Sequence, residues 1–201
     1  MLSKITVWLI IILISAVILL AVLADSMTKR MGHDEQMYCT GGALLAEGKM
    51  IYRDFSYVAQ MPYHALLLAA LFKMLNTRWF LLVGRLVSVI CDIFAAGCIM
   101  GISLHIFKPL SVAGILLGLG AVLLWVFNPL VDYANGFTWN HDVVILCVML
   151  SLWLLLSMDF RFKSKYWRAG FAGALLTFAT CMRITTIVVQ LAIGVFLLID
   201  H

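Results

Sequence analysis

The residues best equipped for chemistry lie in one stretch, Gly32 to Pro62, which reads GHDEQMYCTGGALLAEGKMIYRDFSYVAQMP. Asp34 and Glu35 stand side by side at its start. Adjacent carboxylates at a membrane surface offer a general base and a partner that tunes it, and positioned acid–base catalysis contributes roughly 10²–10⁴-fold. Read plainly, the same pair is a solvated cluster at a helix N-terminus, where acids are favoured. Tyr52, Arg53 and Asp54 form a second group. They suit a turn with a local ion pair, and equally a phosphate contact, because a guanidinium fork grips an oxyanion at two points.

Three further charges, Arg85, Asp92 and Arg183, interrupt apolar runs. A charge at a helix centre costs about 2.5–3.5 kcal/mol on the lenient insertion scale, so such residues face a cavity or a partner. Arg85 and Asp92 are seven residues apart on one helix face, a spacing that predicts a pair formed through an intermediate group. Arg183 has no acid near it in sequence. Snorkelling, pairing with Asp92 across helices, and contact with a lipid phosphate are its three readings. Asp132, His141 and Asp142 complete the set. With Asp34 they have the donor types of a carboxylate–imidazole metal site, while capping and turn roles explain Asn140 and Asp142 just before a span.

The elements that must position these residues are apolar helices. Of 201 residues, 64% are hydrophobic and 12% charged, against roughly 45–50% and 25% in soluble domains. A soluble core cannot absorb that much apolar surface, so the chain reads as an all-α polytopic membrane protein. A hydrocarbon core about 30 Å thick takes roughly 20 apolar residues per helix, which predicts about five spans, near 5–24, 79–107, 110–127, 143–158 and 169–199, with a long polar loop at 25–78. The first run could pass for a signal peptide ending at Val22-Leu23-Ala24. It exceeds the roughly 7–15 apolar residues of a signal core and is followed by more spans, which favours an uncleaved helix. The five cysteines follow no metal spacing, and four sit in apolar runs as small buried hydrophobes. The net charge of +4 is concentrated in the short loop 159–168 and calls for no nucleic-acid partner.

Within the long loop, Met37, Gly41, Leu44 and Leu45 share a face at helical spacing, with Glu47 off it, and Gly48 suits the helix end. Lys49 to Phe55 reads as extended chain. Pro62 opens a second helix, Tyr63 to Leu75, which Asn76 ends. That helix is short and apolar, as expected of an element lying in the membrane interface. Lys and Arg are evenly divided between the two sides. Because long loops translocate with little regard to charge, the long loop is expected outside.

In order and spacing these motifs resemble the N-terminal part of the GT-C superfamily of membrane glycosyltransferases, in the branch of protein O-mannosyltransferases and the lipid A aminoarabinose transferase. The resemblance rests on D-E-x-x-Y (Asp34-Glu35-Gln36-Met37-Tyr38), Glu47-Gly48, Y-x-D (Tyr52-Arg53-Asp54), Pro62-Tyr63, and R-L-x-S (Arg85-Leu86-Val87-Ser88). Asn128-Pro129 and the Gly-rich segment from Gly170 to Arg183 agree more loosely. It implies transfer of a sugar from a polyprenyl-phosphate donor to a hydroxyl of a lipid, glycan or protein acceptor, by a single inverting displacement. Asp34 would be the base and Glu35 would orient it. Tyr38, Tyr52, Arg53, Asp54, Arg85 and Arg183 would line the substrate site, with Arg53 or Arg183 on the departing phosphate. The resemblance further implies a loop facing the periplasm or its equivalent in a bacterial inner membrane, and leaves a divalent metal open. Members of this superfamily usually have more spans, so the resemblance implies the N-terminal portion of a longer member, or a shortened one that assembles with something else. The competing readings are a transporter or flippase-like protein, in which the intramembrane charges mark a substrate route, and a non-catalytic polytopic subunit.

Overall fold

The computed structural model describes residues 4–57, 61–107, 111–157 and 164–199, and every regular element in them is a helix. Lys108-Pro109, the first half of the basic 159–168 segment and the terminal Asp200-His201 lie outside the described residues. Helix α1 (Lys4–Thr28) is apolar until Asp25 and leaves Leu9, Ile12, Leu13, Val17 and Leu20 exposed. The chain then turns by 85° into α2 (His33–Ala46). The next helix, α3 (Tyr63–Leu75), follows Pro62 and closes at Asn76, whose φ of 44 places it in the left-handed region. These two short helices pack on each other around Tyr38, Tyr57, Ala65, Leu68 and Phe72.

The segment expected to be extended after α2 is a tight turn. Met50 N–H donates to the Asp54 carboxylate at 2.8 Å, and Tyr52 N–H donates to the Phe55 carbonyl at 2.9 Å, with Tyr52 at φ 67. An Asp side chain that captures a nearby backbone N–H stabilises a turn against extension.

Helix α4 (Phe80–Ile106) spans 27 residues, or about 40 Å at 1.5 Å per residue. Among the described residues it is the one helix that is by itself long and apolar enough to cross a membrane. Shorter apolar helices surround it: α5 (Val112–Val126) and α7 (His141–Leu156). Between them, Asn128 caps α6 (Pro129–Ala134) by accepting from Leu130 N–H at 2.9 Å, and bends run from 135 to 140. A core of Cys91, Val143, Val144, Cys147, Ala179 and Met182 joins α4, α7 and α8 (Ser164–Met182).

The single span expected over 169–199 is broken. Helix α8 stops at Met182, Arg183 is extended (φ −150, ψ 107), one 3₁₀ turn covers Ile184–Thr186, and α9 (Ile187–Ile199) continues. The physical reason lies in length and composition. A continuous helix there would exceed 45 Å, roughly half again the hydrocarbon thickness, and Ile184, Thr185 and Thr186 are β-branched residues that resist helical χ1 restriction.

Candidate functional site

The two acids of α2 point to different places. Glu35 is 0% exposed. Its Oε1 accepts from Arg85 Nε at 2.9 Å and from Thr138 N–H at 2.9 Å, and its Oε2 accepts from Arg85 Nη2 at 2.8 Å. Arg85, 4% exposed, spends its remaining fork nitrogen on the Ser26 carbonyl at 2.7 Å. Ser26 Oγ in turn donates to the Gly136 carbonyl, and Ser88 Oγ to the Phe137 carbonyl. Gly84 on α4 lets Thr138 come so close that any Cβ there would collide with the threonine side chain. One ion pair thus ties the end of α1, the start of α2, the first turns of α4 and the 135–140 segment together. Burial by itself would push the Glu35 carboxyl up. The Arg85 and Thr138 hydrogen bonds and the guanidinium charge outweigh it and hold the group below the usual carboxylate range.

This geometry revises two expectations. Glu35 has no face toward a substrate, and each nitrogen of the buried Arg85 guanidinium already serves an acceptor of the protein. Arg85 also does not pair with Asp92. That acid, 4% exposed, accepts from Asn135 Nδ2 at 2.8 Å.

Asp34 is exposed, one position before Glu35 and therefore about 100° around the helix. One turn on, Tyr38 is buried, edge-on to the His64 ring at 5.0 Å. The charges of Asp34 and Arg183 both bear on Tyr38 and on His141. Burial first, and Asp34 second, push the Tyr38 hydroxyl up to about 12 against the opposing pull of Arg183, so it stays a neutral donor at any physiological pH. Burial pushes His64 down to about 4, which keeps it neutral as well.

Arg183 sits in the helix break. Its Nη1 lies 2.8 Å from Nδ1 and 2.7 Å from Nε2 of His141, and its Nε donates to Thr185 Oγ1 at 3.2 Å. Among the described residues this half-buried guanidinium pairs with no carboxylate. Asn140, expected as a helix cap, instead donates its side-chain N–H to the Met182 carbonyl at 2.7 Å. It thereby satisfies an acceptor that the end of α8 would otherwise leave unpaired. His141 is held from the other side by Trp139, ring centroids 5.3 Å apart, and Trp139 stacks on Phe137 at 4.9 Å.

The remaining candidates separate from this cluster. Tyr52 is exposed, and Arg53 closes on its neighbour Asp54 through both ends of its fork (3.0 and 2.8 Å). Asp132 is paired at 3.6 Å with Lys29, which also bonds Asp25 at 2.5 Å. Asp142 is buried and accepts from Gly136 N–H at 3.2 Å. Among the described residues no group of three or more His, Cys, Asp and Glu has metal-binding geometry.

The sequence reading passed over Ser26, His64 and Thr138. His64 carried a usable signal, an ionisable residue in an otherwise apolar helix. Ser26 and Thr138 carried none, because they act through backbone proximity created by the tertiary fold. Compared with family models, curated proteins and solved structures, the chain matches none.

Proposed function

We propose that this chain crosses a bilayer about five times, with α1, α4, α5, α7 and the broken α8–α9 as its spans. In this reading it acts as a membrane glycosyltransferase of GT-C type, or as the N-terminal part of one, at the outer face of a bacterial inner membrane. The observation that supports the reading is the seat of Arg183 in the helix break, 2.7–2.8 Å from the His141 ring nitrogens, with the charge of Asp34 felt by the same neighbours. Asp34 and Arg183 come from opposite ends of the chain, and both charges act on Tyr38 and His141. An exposed carboxylate with no basic partner among the described residues supplies a proton acceptor. A half-buried guanidinium held by the neutral groups His141 and Thr185 supplies a site for an anion. Catalysis of a displacement that expels phosphate needs these two parts, set apart from each other.

The acceptor O–H gives its proton to Asp34 as its oxygen bonds to the anomeric carbon. The bond from that carbon to the phosphate oxygen breaks, and the electron pair leaves with the polyprenyl phosphate, whose charge Arg183 stabilises. Arg53, closed on Asp54, takes no part. Tyr38 donates a hydrogen bond to the bound substrate, and Glu35 and Arg85 position α2.

The test is transfer from a labelled polyprenyl-phosphate sugar in membrane vesicles. Asp34→Asn should abolish transfer while the protein still inserts. Wild-type transfer in that variant removes Asp34 as the base. Independently, a Ser56→Cys variant should react with an impermeant thiol reagent added from outside. Labelling from the cytoplasmic side alone would invert the orientation and the mechanism with it.

A further inference from the structure

Away from Arg183, the inner end of the 135–140 segment holds more hydrogen-bond acceptors than donors. Asp92 (4% exposed) and Asp142 (0% exposed) are both buried there. Asn135 Nδ2 serves Asp92 and Gly136 N–H serves one Asp142 oxygen. The other Asp142 oxygen, Oδ1, and the buried Asn135 Oδ1 meet no donor among the described residues. Ser88 Oγ lies within hydrogen-bonding reach of both the Phe137 carbonyl, at 2.5 Å, and the Asp142 carboxylate, and its single proton serves only one of them at a time. The nearby cations are engaged elsewhere. Lys29 bonds the Asp25 carboxylate and the Asp132 and Asn135 carbonyls, and Arg85 is closed on Glu35 and Ser26.

Burying two carboxylates with no cation bonded to either costs several kcal/mol per ion, and unserved buried acceptors add to that. A cation resolves both at once, since it neutralises charge and is bound by lone pairs. Beside these acceptors lies a cavity of about 200 Å³ between the C-terminal turns of α1 and α5, the middle of α4, and α6, lined among others by Asp25, Asp92, Asp132 and Asn135. That is room for several waters at about 30 Å³ each.

We propose that Asp92, Asn135, Asp142 and Ser88 bind one alkali cation of the sodium class, which locks the 135–140 segment onto α4 and α7. The oxygen-only donor set excludes a soft metal. Lys29 already offsets part of the local negative charge, which leaves a single positive charge rather than two to be supplied. The site is distinct from the Asp34–Arg183 cluster and does not depend on the transferase reading.

The experiment is ²²Na⁺ binding to the purified full chain in detergent micelles, with choline as the inert cation, alongside thermal melting in sodium or choline chloride at equal ionic strength. Saturable binding is expected, with a higher melting temperature in sodium, since a ligand that binds only the folded state stabilises it by mass action. Asp142→Asn and Asn135→Ala should each weaken binding by about tenfold or more, some 1.4 kcal/mol. Should Asp142→Asn not fold, Asn135→Ala and infrared difference spectra of the wild-type protein decide. Sodium-dependent carboxylate bands support the site. A protonated-carboxyl band unchanged by sodium, or absence of saturable binding, overturns it and assigns the acid pair a shared proton instead.

Discussion

Two acid–arginine sets in this molecule begin on the same helix and end differently. Glu35 and Arg85 meet in the interior through two hydrogen bonds, and each completes its valences on backbone groups of other segments. Asp34 and Arg183 act on the same neighbours but are not closed on each other, and Arg183 is held by neutral partners. The difference teaches that an arginine interrupting an apolar run is not by itself a functional signal. Arg85 and Arg183 look alike in sequence. What separates them is whether, among the described residues, the protein fills their need for a counter-charge. The filled pair fixes geometry, and the unfilled one has capacity left for a ligand.

The largest effect should come from breaking the filled pair. Removing one member leaves a buried uncompensated charge, typically a loss of about 3–5 kcal/mol. Glu35→Ala and Arg85→Ala should therefore each lower the denaturation midpoint in micelles strongly. The double variant Glu35→Leu/Arg85→Met should recover much of the loss, since well-packed apolar replacements of buried pairs are often neutral. A double variant as unstable as the singles would mean that the backbone contacts, and not the pair, carry the energy.

Next in size is Gly84→Ala. Its methyl group must displace Thr138, whose N–H serves Glu35. Overpacking costs typically about 1–3 kcal/mol, and here the cost should largely disappear when Thr138 is also shortened to Ala.

Acid should act through His64 before it acts through Glu35. The His64 pKa is depressed to about 4 from an ordinary 6.5, so the unfolded chain takes the proton first as pH falls. Stability is fully present above about 6.5, declines toward 4, and loses on the order of 2–3 kcal/mol over that window. Glu35 also has a folded pKa below its ordinary 4.5. Its contribution is present above that value and is lost only as the pH drops through the folded pKa. His64→Gln should flatten the upper part of the melting-temperature profile and leave the lower part. A profile unchanged by that substitution would contradict the assignment.

The smallest effect belongs to Arg53→Ala. The ion pair with Asp54 is at the surface and between neighbours in sequence, where exposed pairs contribute little. Both stability and transfer should stay at the wild-type level. Loss of transfer there would return the phosphate to Arg53.

Much of the helical layout was legible, and for identifiable reasons. Phe80–Ile106 fell within the expected 79–107 because its ends are set by polar and aromatic residues flanking one apolar run. Tyr63–Leu75 was bounded by Pro62 and Asn76, both with strong local preferences. Local chemistry could not reveal the partner of Arg85. Sequence spacing offered Asp92 on the same helix, whereas the fold supplied Glu35, 50 positions away. The break at Arg183 was also hidden, because one arginine and three β-branched residues weaken a helix without fixing where it stops. Of the candidate site, Asp34 and Arg183 were legible as residue types. Their convergence with Tyr38 and His141 was not, since it depends on how α2, α7 and α8 pack.

The central claim, that of two neighbouring acids one holds the fold and the other faces the reaction, is tested most directly by Asp34→Asn and Glu35→Gln side by side. Each is measured for melting in micelles and for sugar transfer in vesicles. The account predicts that Asp34→Asn melts like wild type, within about 0.5 kcal/mol, yet loses transfer by roughly 10²-fold or more. It predicts that Glu35→Gln melts clearly lower and, at a temperature where it remains folded, still transfers. The reverse pattern, with stability resting on Asp34 and chemistry on Glu35, would contradict it.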